Sequence, residues 1–252
     1  MYFVQMEEYI RYSGDTTLAA QYFDKLDTII HTFHKKVQPE GVIENFYGKA
    51  PSGKNDYWNF YEWSATMNGH FGETERRLEC PINCFYSLAM QSLANICDAL
   101  GKTEYAIELR ARVKSLNAAI AEVFYNPETG LFESFDTIHR GLYTVLTQSL
   151  AMLCGAAEGV DTTVMLQAMA TNGKTEVGID LVPNTLSMNA FRFDALLAVD
   201  KEKYAPIILA ELDRDPTPEE IADRVGTTRE QVVSAMEAII EPVSLYEPVF
   251  SE

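Results

Sequence analysis

Apolar residues recur at three- and four-residue steps along most of the chain. In "LAAQYFDKLDTIIHTF" the positions Leu18, Tyr22, Leu26, Ile29, Ile30 and Phe33 fall on one helical face. From Pro81 the pattern is cleaner: Ile82, Phe85, Tyr86, Ala89, Leu93, Ile96, Cys97 and Leu100. Pro81 suits a first helical turn, where its missing N–H removes no bond, and Gly101 suits a C-terminal cap. Thr103 opens the next predicted helix, with Leu109, Val113, Leu116, Ile120, Val123 and Phe124 on one side, and "NPETG" breaks it. Further helices are predicted at about 141–155 and about 161–170. After a "TNGKTEVGIDLVPN" loop, two more follow at about 185–199 and about 201–213. Strand signals are confined to loops such as "GVIENF" and "GLFESF".

Long helices joined by short turns, alternating with longer loops, make a series of α-hairpins. The wide apolar faces require each helix to pack on more than one neighbour. This reads as an α-toroid or an α-solenoid, and the lack of any repeat of about 34 or 40 residues weakens the solenoid. Composition changes near the end, in "DPTPEEIADRVGTTREQVVSAMEAIIEPVSLYEPVFSE". Thr217 with Glu220 and Thr228 with Gln231 form two capping boxes, Pro218 sits in a first turn, and Gly226 closes the first helix. Pro242 and Pro248 bracket an extended tail. Helix, glycine-containing turn, helix is a helix-turn-helix outline.

The 252 residues suffice for one large domain or two ordinary ones. A hydrophobic share of 47% with 23% charged residues supports a real core. The net charge of −17 makes nucleic acid an unlikely partner and favours a neutral or cationic small ligand. No apolar run approaches the roughly 18 residues that span a bilayer, so no membrane partner is expected. "MYFVQMEEYIRYSGD" carries Glu7 and Glu8 in its apolar stretch and no basic region ahead of it, unlike a secretory leader; a cytoplasmic location is expected. Cys80, Cys84, Cys97 and Cys154 match no zinc or redox spacing and read as free buried thiols. No phosphate loop, nucleophile elbow, metalloprotease or dinucleotide motif is present, and neither metal nor cofactor is expected.

One stretch carries candidate chemistry. "KNDYWNFYEWSATMNGHF" places Tyr57, Trp58, Phe60, Tyr61 and Trp63 in seven positions, with Asp56, Asn59 and Glu62 among them. Sugars offer C–H patches to aromatic faces and hydroxyls to carboxylates and amides. Asp56, Tyr57, Trp58, Asn59, Glu62 and Trp63 are therefore the candidate substrate-binding set, with Phe60 and one tyrosine assigned to the core. The same segment could instead be a loop mini-core, its tryptophans packed under the helices. Glu133, Asp136, Asp180 and Arg192 read as solvated surface, and His139 as structural or exposed. Glu79 and Asn83 flank the helix start at Pro81, where Glu79 opposes the helix dipole.

Four stretches carry a family resemblance: "YIRYSGDTTLAAQYFDKLDTIIHTF", "YWNFYEWS", "PINCFYSLAMQSLANICDALGKTEYAIELRARVKSLNAAIAEVFYNPETGLF" and "LSMNAFRFDALLAVDKEKYAPIILAELDR". In this order they resemble the six-hairpin glycosidase superfamily, nearest the α-L-rhamnosidases of glycoside hydrolase family 78, over residues 1–213. "RDPTPEEIADRVGTTREQVVSAMEAIIEPVSLYEPVFSE" resembles region 3 of sporulation-type RNA polymerase sigma factors. The resemblance implies an all-α fold, a partial (α/α)6 toroid of about four hairpins with a small C-terminal helix-turn-helix-like appendage. It divides the chain into 1–212 and 213–252, joined without a Gly, Ser or Pro linker, as in a fusion.

By the same resemblance the function expected is a fragment of a rhamnosidase-like glycoside hydrolase that keeps part of a carbohydrate cleft for a rhamnoside-type ligand. The family's acid lies in an Arg-x-Glu-x-x-Gly-Trp stretch and its base ends a Gly-Ala-Thr-Thr segment. Neither stretch occurs here, so Glu62 is the one weak catalytic candidate and the fragment is expected to be inactive. An incomplete ring leaves apolar helix faces open, which predicts self-association. The alternative is a transcription-related protein whose helical body regulates a sigma-like segment that binds RNA polymerase. From Asp213 on, however, ten acidic residues stand against three basic ones, net −7, which disfavours DNA binding by that segment alone.

Overall fold

The computed structural model describes residues 2–68, 75–136, 141–212, 217–225 and 227–238. It divides into two units, Met1–Tyr204 and Ala205–Glu252. In the first, α1 (Tyr2–Ser13) and α2 (Thr17–His34) form a hairpin around Gly14. Asp15 Oδ1 accepts from the N–H of Thr17 at 2.8 Å and so caps the second helix. α3 (Cys80–Ala99) and α4 (Thr103–Phe124) form the next hairpin. Gly101, at φ +72°, turns the chain there while Lys102 N–H donates to Cys97 C=O at 2.8 Å. α4 runs into a two-residue antiparallel pair, β1 (Tyr125–Asn126) and β2 (Leu131–Phe132). α5 (Val145–Cys154) and α6 (Thr163–Ala170) make the third hairpin, with Gly155 in the left-handed region as the C-cap. α7 (Asn189–Val199) follows a 3-10 turn at Leu186–Met188, and α8 (Lys201–Leu212) crosses the division between units.

The first helices of successive hairpins, α1, α3, α5 and α7, pack side by side in chain order. α4 backs α3, and α6 backs α5 and α7. This alternation of inner and outer helices is the all-α arrangement expected, an arc of helical hairpins as in a partial (α/α) toroid. Burial follows position in the row. α3 buries Ile82, Met90, Leu93 and Ile96 together with Asn83, Ser87 and Ser92, and α5 is covered from Val145 to Ala151. α1, at the end of the row, buries only Phe3 and Met6. Leu18 and Ile29, expected on the apolar face of α2, are instead 39% and 38% exposed, and Ala19, Leu26 and Ile30 carry its packing. All four cysteines are free and buried. No helix among the described residues is long and apolar enough to cross a membrane.

Two boundaries differ from expectation for local reasons. The helix predicted from about 141 begins at Val145, because Thr144 is extended and its hydroxyl accepts from Thr147 N–H at 3.1 Å. The helix predicted from about 185 begins as a 3-10 turn. The loop before it is set by Gly173, at φ +124°, where a Cβ would stand 2.7 Å from the Leu181 carbonyl oxygen. In the second unit α9 (Pro218–Val225) packs on α10 (Arg229–Ala238), burying Ala222 and Val232. Of the two expected capping boxes, that of Thr228 and Gln231 forms: Gln231 N–H donates to Thr228 Oγ1 at 3.3 Å, and Thr228 N–H to Gln231 Oε1 at 3.5 Å, while the Glu220 side chain of the other lies outside those described. Arg229 and Glu219 pair across the two helices. The expected Gly226 closure and the tail at Pro242 and Pro248 lie outside the described residues.

Candidate functional site

The N-termini of α3, α5 and α7 are each approached by a long segment, and these segments are tied to one another. Residues 35–68 and 75–79, before α3, fold back through bridges between Val37 and Ile43, Glu44 and Leu78, and Lys49 and Asp56. The Asn45 side chain accepts from Arg77 N–H at 2.8 Å, and Asn45 N–H donates to Arg77 C=O at 3.0 Å. Glu79 bridges to Phe135 in the segment before α5, and Thr144 bridges to Val182 in the segment before α7.

Two buried carboxylates do the tying around the aromatic stretch. Glu79, extended and immediately before α3, is fully buried. It accepts from the Tyr61 hydroxyl and from Arg77 Nε at 3.0 Å and Nη2 at 2.8 Å. The Arg77 guanidinium lies 5.4 Å from the centre of the Phe135 ring. A carboxylate removed from water requires such a set, because its desolvation is recovered only by charge and well-made bonds. Glu62 is also fully buried. Its Oε2 accepts from Thr185 N–H at 3.1 Å and from Thr185 Oγ1 at 3.4 Å, joining the aromatic stretch to the 3-10 turn before α7.

The indoles face outward. Trp58 is 43% and Trp63 70% exposed, while Tyr61 is buried. Phe60, expected in the core, is only half-buried and stands edge-on between the tryptophans, its centroid 5.4 Å from Trp58 and 4.7 Å from Trp63. Trp58 Nε1 donates to Asn68 C=O at 2.7 Å, which fixes the ring. The neighbouring candidates shape the segment: Asp56 pairs with Lys49 at 2.8 Å, Tyr57 packs on Phe46 at 5.3 Å, and Asn59 Nδ2 donates to Phe46 C=O at 2.8 Å. The result is an open row of three rings held from behind by buried charge.

Several residues sit elsewhere than expected. Asp136 is part-buried, not solvated, and its Oδ1 accepts from Leu78 N–H at 3.0 Å, which helps fix the start of α3. Glu133 is part-buried beside Asn126, at 3.4 Å. Arg192 is 1% exposed; it donates to Met169 C=O at 2.8 Å and to Asn189 Oδ1 at 3.2 Å, because the start of α7 is packed on α6. Asp180 is exposed and paired with Lys174 at 2.5 Å. His139 lies outside the described residues. The residues missed were Glu79 as an anchor, with Arg77, Tyr61 and Thr185; the only local signal was an acid directly before a proline-marked helix start. Among the described residues no group of three His, Cys, Asp or Glu is arranged to hold a metal.

Residues 6–204 match the family model described as the mannosylglycerate hydrolase MGH1-like glycoside hydrolase domain, and residues 207–252 match sigma-70 region 3. A family 78 rhamnosidase of Bacillus sp. GL1 is similar in structure, with TM-score 0.67 and 19% identity over 84% of this chain and 20% of that one. A rhamnosidase from Klebsiella oxytoca with rhamnose bound has TM-score 0.61 and 17% identity, over 84% of this chain and 37% of that one. The chain thus spans a minor part of both, and the likeness is one of fold. No curated protein matches the sequence.

Proposed function

The chain belongs to the mannosylglycerate hydrolase MGH1-like glycoside hydrolase domain family through residues 6–204, and we propose that it binds a rhamnoside-type sugar on the ring row of its aromatic segment. The observation that carries this reading is the pair of exposed indoles, Trp58 and Trp63, held edge-on to Phe60. Pyranose C–H faces lie on such rings, and fixed ring geometry lowers the entropic cost of binding. Within the set Asp56, Tyr57, Trp58, Asn59, Glu62 and Trp63, the indoles form the platform. The other four position the segment that carries it. The Klebsiella oxytoca rhamnosidase, with its bound rhamnose, supplies the sugar class.

The proposal is a rhamnosidase-like fragment that binds without turnover. Inversion needs an acid and a base about 6.5–9.5 Å apart on opposite sides of the sugar. Neither family stretch that carries them is found in this sequence, and Glu62, the one candidate, is buried with Oε2 engaged by Thr185. Tryptophan emission is expected to shift on titration with rhamnose or a methyl rhamnoside up to about 50 mM, a range that covers millimolar affinity. Trp58→Ala is expected to lose this response with little loss of stability. Unmoved emission, or a Trp58→Ala protein that mainly unfolds, would return the segment to a mini-core. The exposed Tyr2, Tyr9, Tyr12, Leu18 and Ile29 favour self-association through α1 and α2, which sedimentation velocity tests.

The match of residues 207–252 to sigma-70 region 3 favours a second reading, a transcription-related protein with a helical body. It requires capture of core RNA polymerase by the chain, and no capture ends it. We place the domain boundary at 212/213, inside the join of a fusion; sequencing genomic DNA across Leu212 to Pro216 in independent clones tests that join.

A further inference from the structure

A pocket of about 380 Å³ lies between α1, α2, α3 and the aromatic segment. Phe3 of α1, Ile30 and Phe33 of α2, and Ile82 and Phe85 of α3 line it, and Trp58 and Phe60 complete it. Lining by α1 and α2 sets this space beside the first hairpin, with the aromatic segment and α3 as its other walls. Its volume is within the range of about 300–1,000 Å³ that small-molecule pockets occupy.

Most of the side-chain donors of its wall are used elsewhere, and the Tyr2 hydroxyl belongs to an exposed residue. Trp58 Nε1 donates to Asn68 C=O, Asn59 Nδ2 to Phe46 C=O and the Tyr61 hydroxyl to Glu79, while the Tyr86 hydroxyl meets His34 Nδ1 at 3.4 Å. Burial holds the Tyr86 phenol neutral, pushed up to about 12. A sugar placed here would lose its bonds to water and gain few in return. A hydrocarbon ring loses none, and an apolar cavity of about 150 Å³ already suffices to hold benzene. The walls are fixed by ring contacts: Phe33 is edge-on to Phe46 at 5.0 Å and stacked on Tyr86 at 5.7 Å. Such rigidity forms the pocket before any ligand arrives.

We propose that this pocket is a binding site for a flat, uncharged aromatic compound of one or two fused rings, entered from the α1–α2 side and sharing Trp58 and Phe60 with the saccharide platform. The proposal does not depend on the sugar reading, and occupancy at one face of Trp58 couples the two sites reciprocally.

Saturation-transfer NMR with naphthalene tests it on the full chain, with rhamnose as a separate arm. Naphthalene is expected to bind the wild type; Ala89 also lines the pocket, and Ala89→Trp, which fills it from α3, is expected to weaken binding by at least about tenfold while leaving circular dichroism unchanged. Should that variant not fold, Ala89→Leu takes its place, with a loss of about threefold expected. No naphthalene signal from the wild type, or an undiminished one from a folded filled variant, overturns the proposal. Naphthalene binding without any rhamnose response leaves the pocket standing and removes the platform; the reverse result removes the pocket alone.

Discussion

In the first turn of α3, Asn83 accepts from Ile43 N–H at 2.7 Å and donates to Ile43 C=O at 3.0 Å and Glu79 C=O at 2.9 Å. In the first turn of α5, Gln148 accepts from Phe132 N–H at 2.9 Å and donates to Phe132 C=O at 2.8 Å and Thr144 C=O at 3.2 Å. Each carboxamide is the fourth residue of its helix and serves the passing loop as a strand partner would. What surrounds them differs. At α5 the remaining contacts are neutral: Ser134 and Thr147 hydroxyls at 2.7 Å, Thr144 and Thr147 at 2.8 Å. At α3 they are charged, through Glu79 and Arg77. Recognition of the loop backbone is thus common to both helices. Among the described residues charge enters at α3 and not at α5, and it is at α3 that an aromatic segment must be held with its indoles in water.

Removing the charged contact should give the largest effect. Glu79→Ala removes the carboxylate that the nearly buried Arg77 guanidinium and the Tyr61 hydroxyl both bond, and is expected to cost about 3–5 kcal/mol in urea denaturation. Converting the pair to neutral groups with Arg77→Gln and Glu79→Gln together should recover part of that loss, which makes the two approaches chemically alike. Asn83→Ala and Gln148→Ala each strand a backbone N–H and C=O and should cost about 2–4 kcal/mol each. A large difference between these two would end the equivalence drawn here.

Trp63→Ala should change stability by no more than about 0.5 kcal/mol, since the ring is largely in water, yet reduce any sugar response. The smallest effect concerns pH. Burial, aided by Arg112 and His31 and opposed by Glu108, holds the His34 imidazole below its ordinary 6.5. The unfolded chain therefore binds the proton first, and stability falls as pH drops from about 6.5 through the lower folded value. His34→Gln should flatten that part of the melting profile slightly, because the residue keeps much of its surface open.

Helices and turns were legible because their signals are local: Pro81 in a first turn, Gly101 after a last one, Thr228 with Gln231 as a cap. The outward indoles were legible as a possibility, since aromatic crowding in a loop admits two answers and composition does not choose. Glu79 was not. Arg77 stands two residues before it, but Tyr61 stands eighteen before it, and only the folding back of the segment brings that hydroxyl to the carboxylate. Arg192 misled for the same reason, a cation that periodicity assigns to water but that the neighbouring helix carbonyl requires. Asn83 and Gln148 show the limit most directly, because nothing in the chain order points from either to Ile43 or Phe132.

Gly173 leaves just enough room for the Leu181 carbonyl, and Leu181 leads within a few residues to Thr185, the partner of Glu62. A single added methyl at 173 would push this whole stretch outward and pull the hydroxyl off the carboxylate. The tie between the aromatic segment and the turn before α7 therefore rests on a missing side chain at 173, and evolution or engineering could loosen it from there without touching either tryptophan.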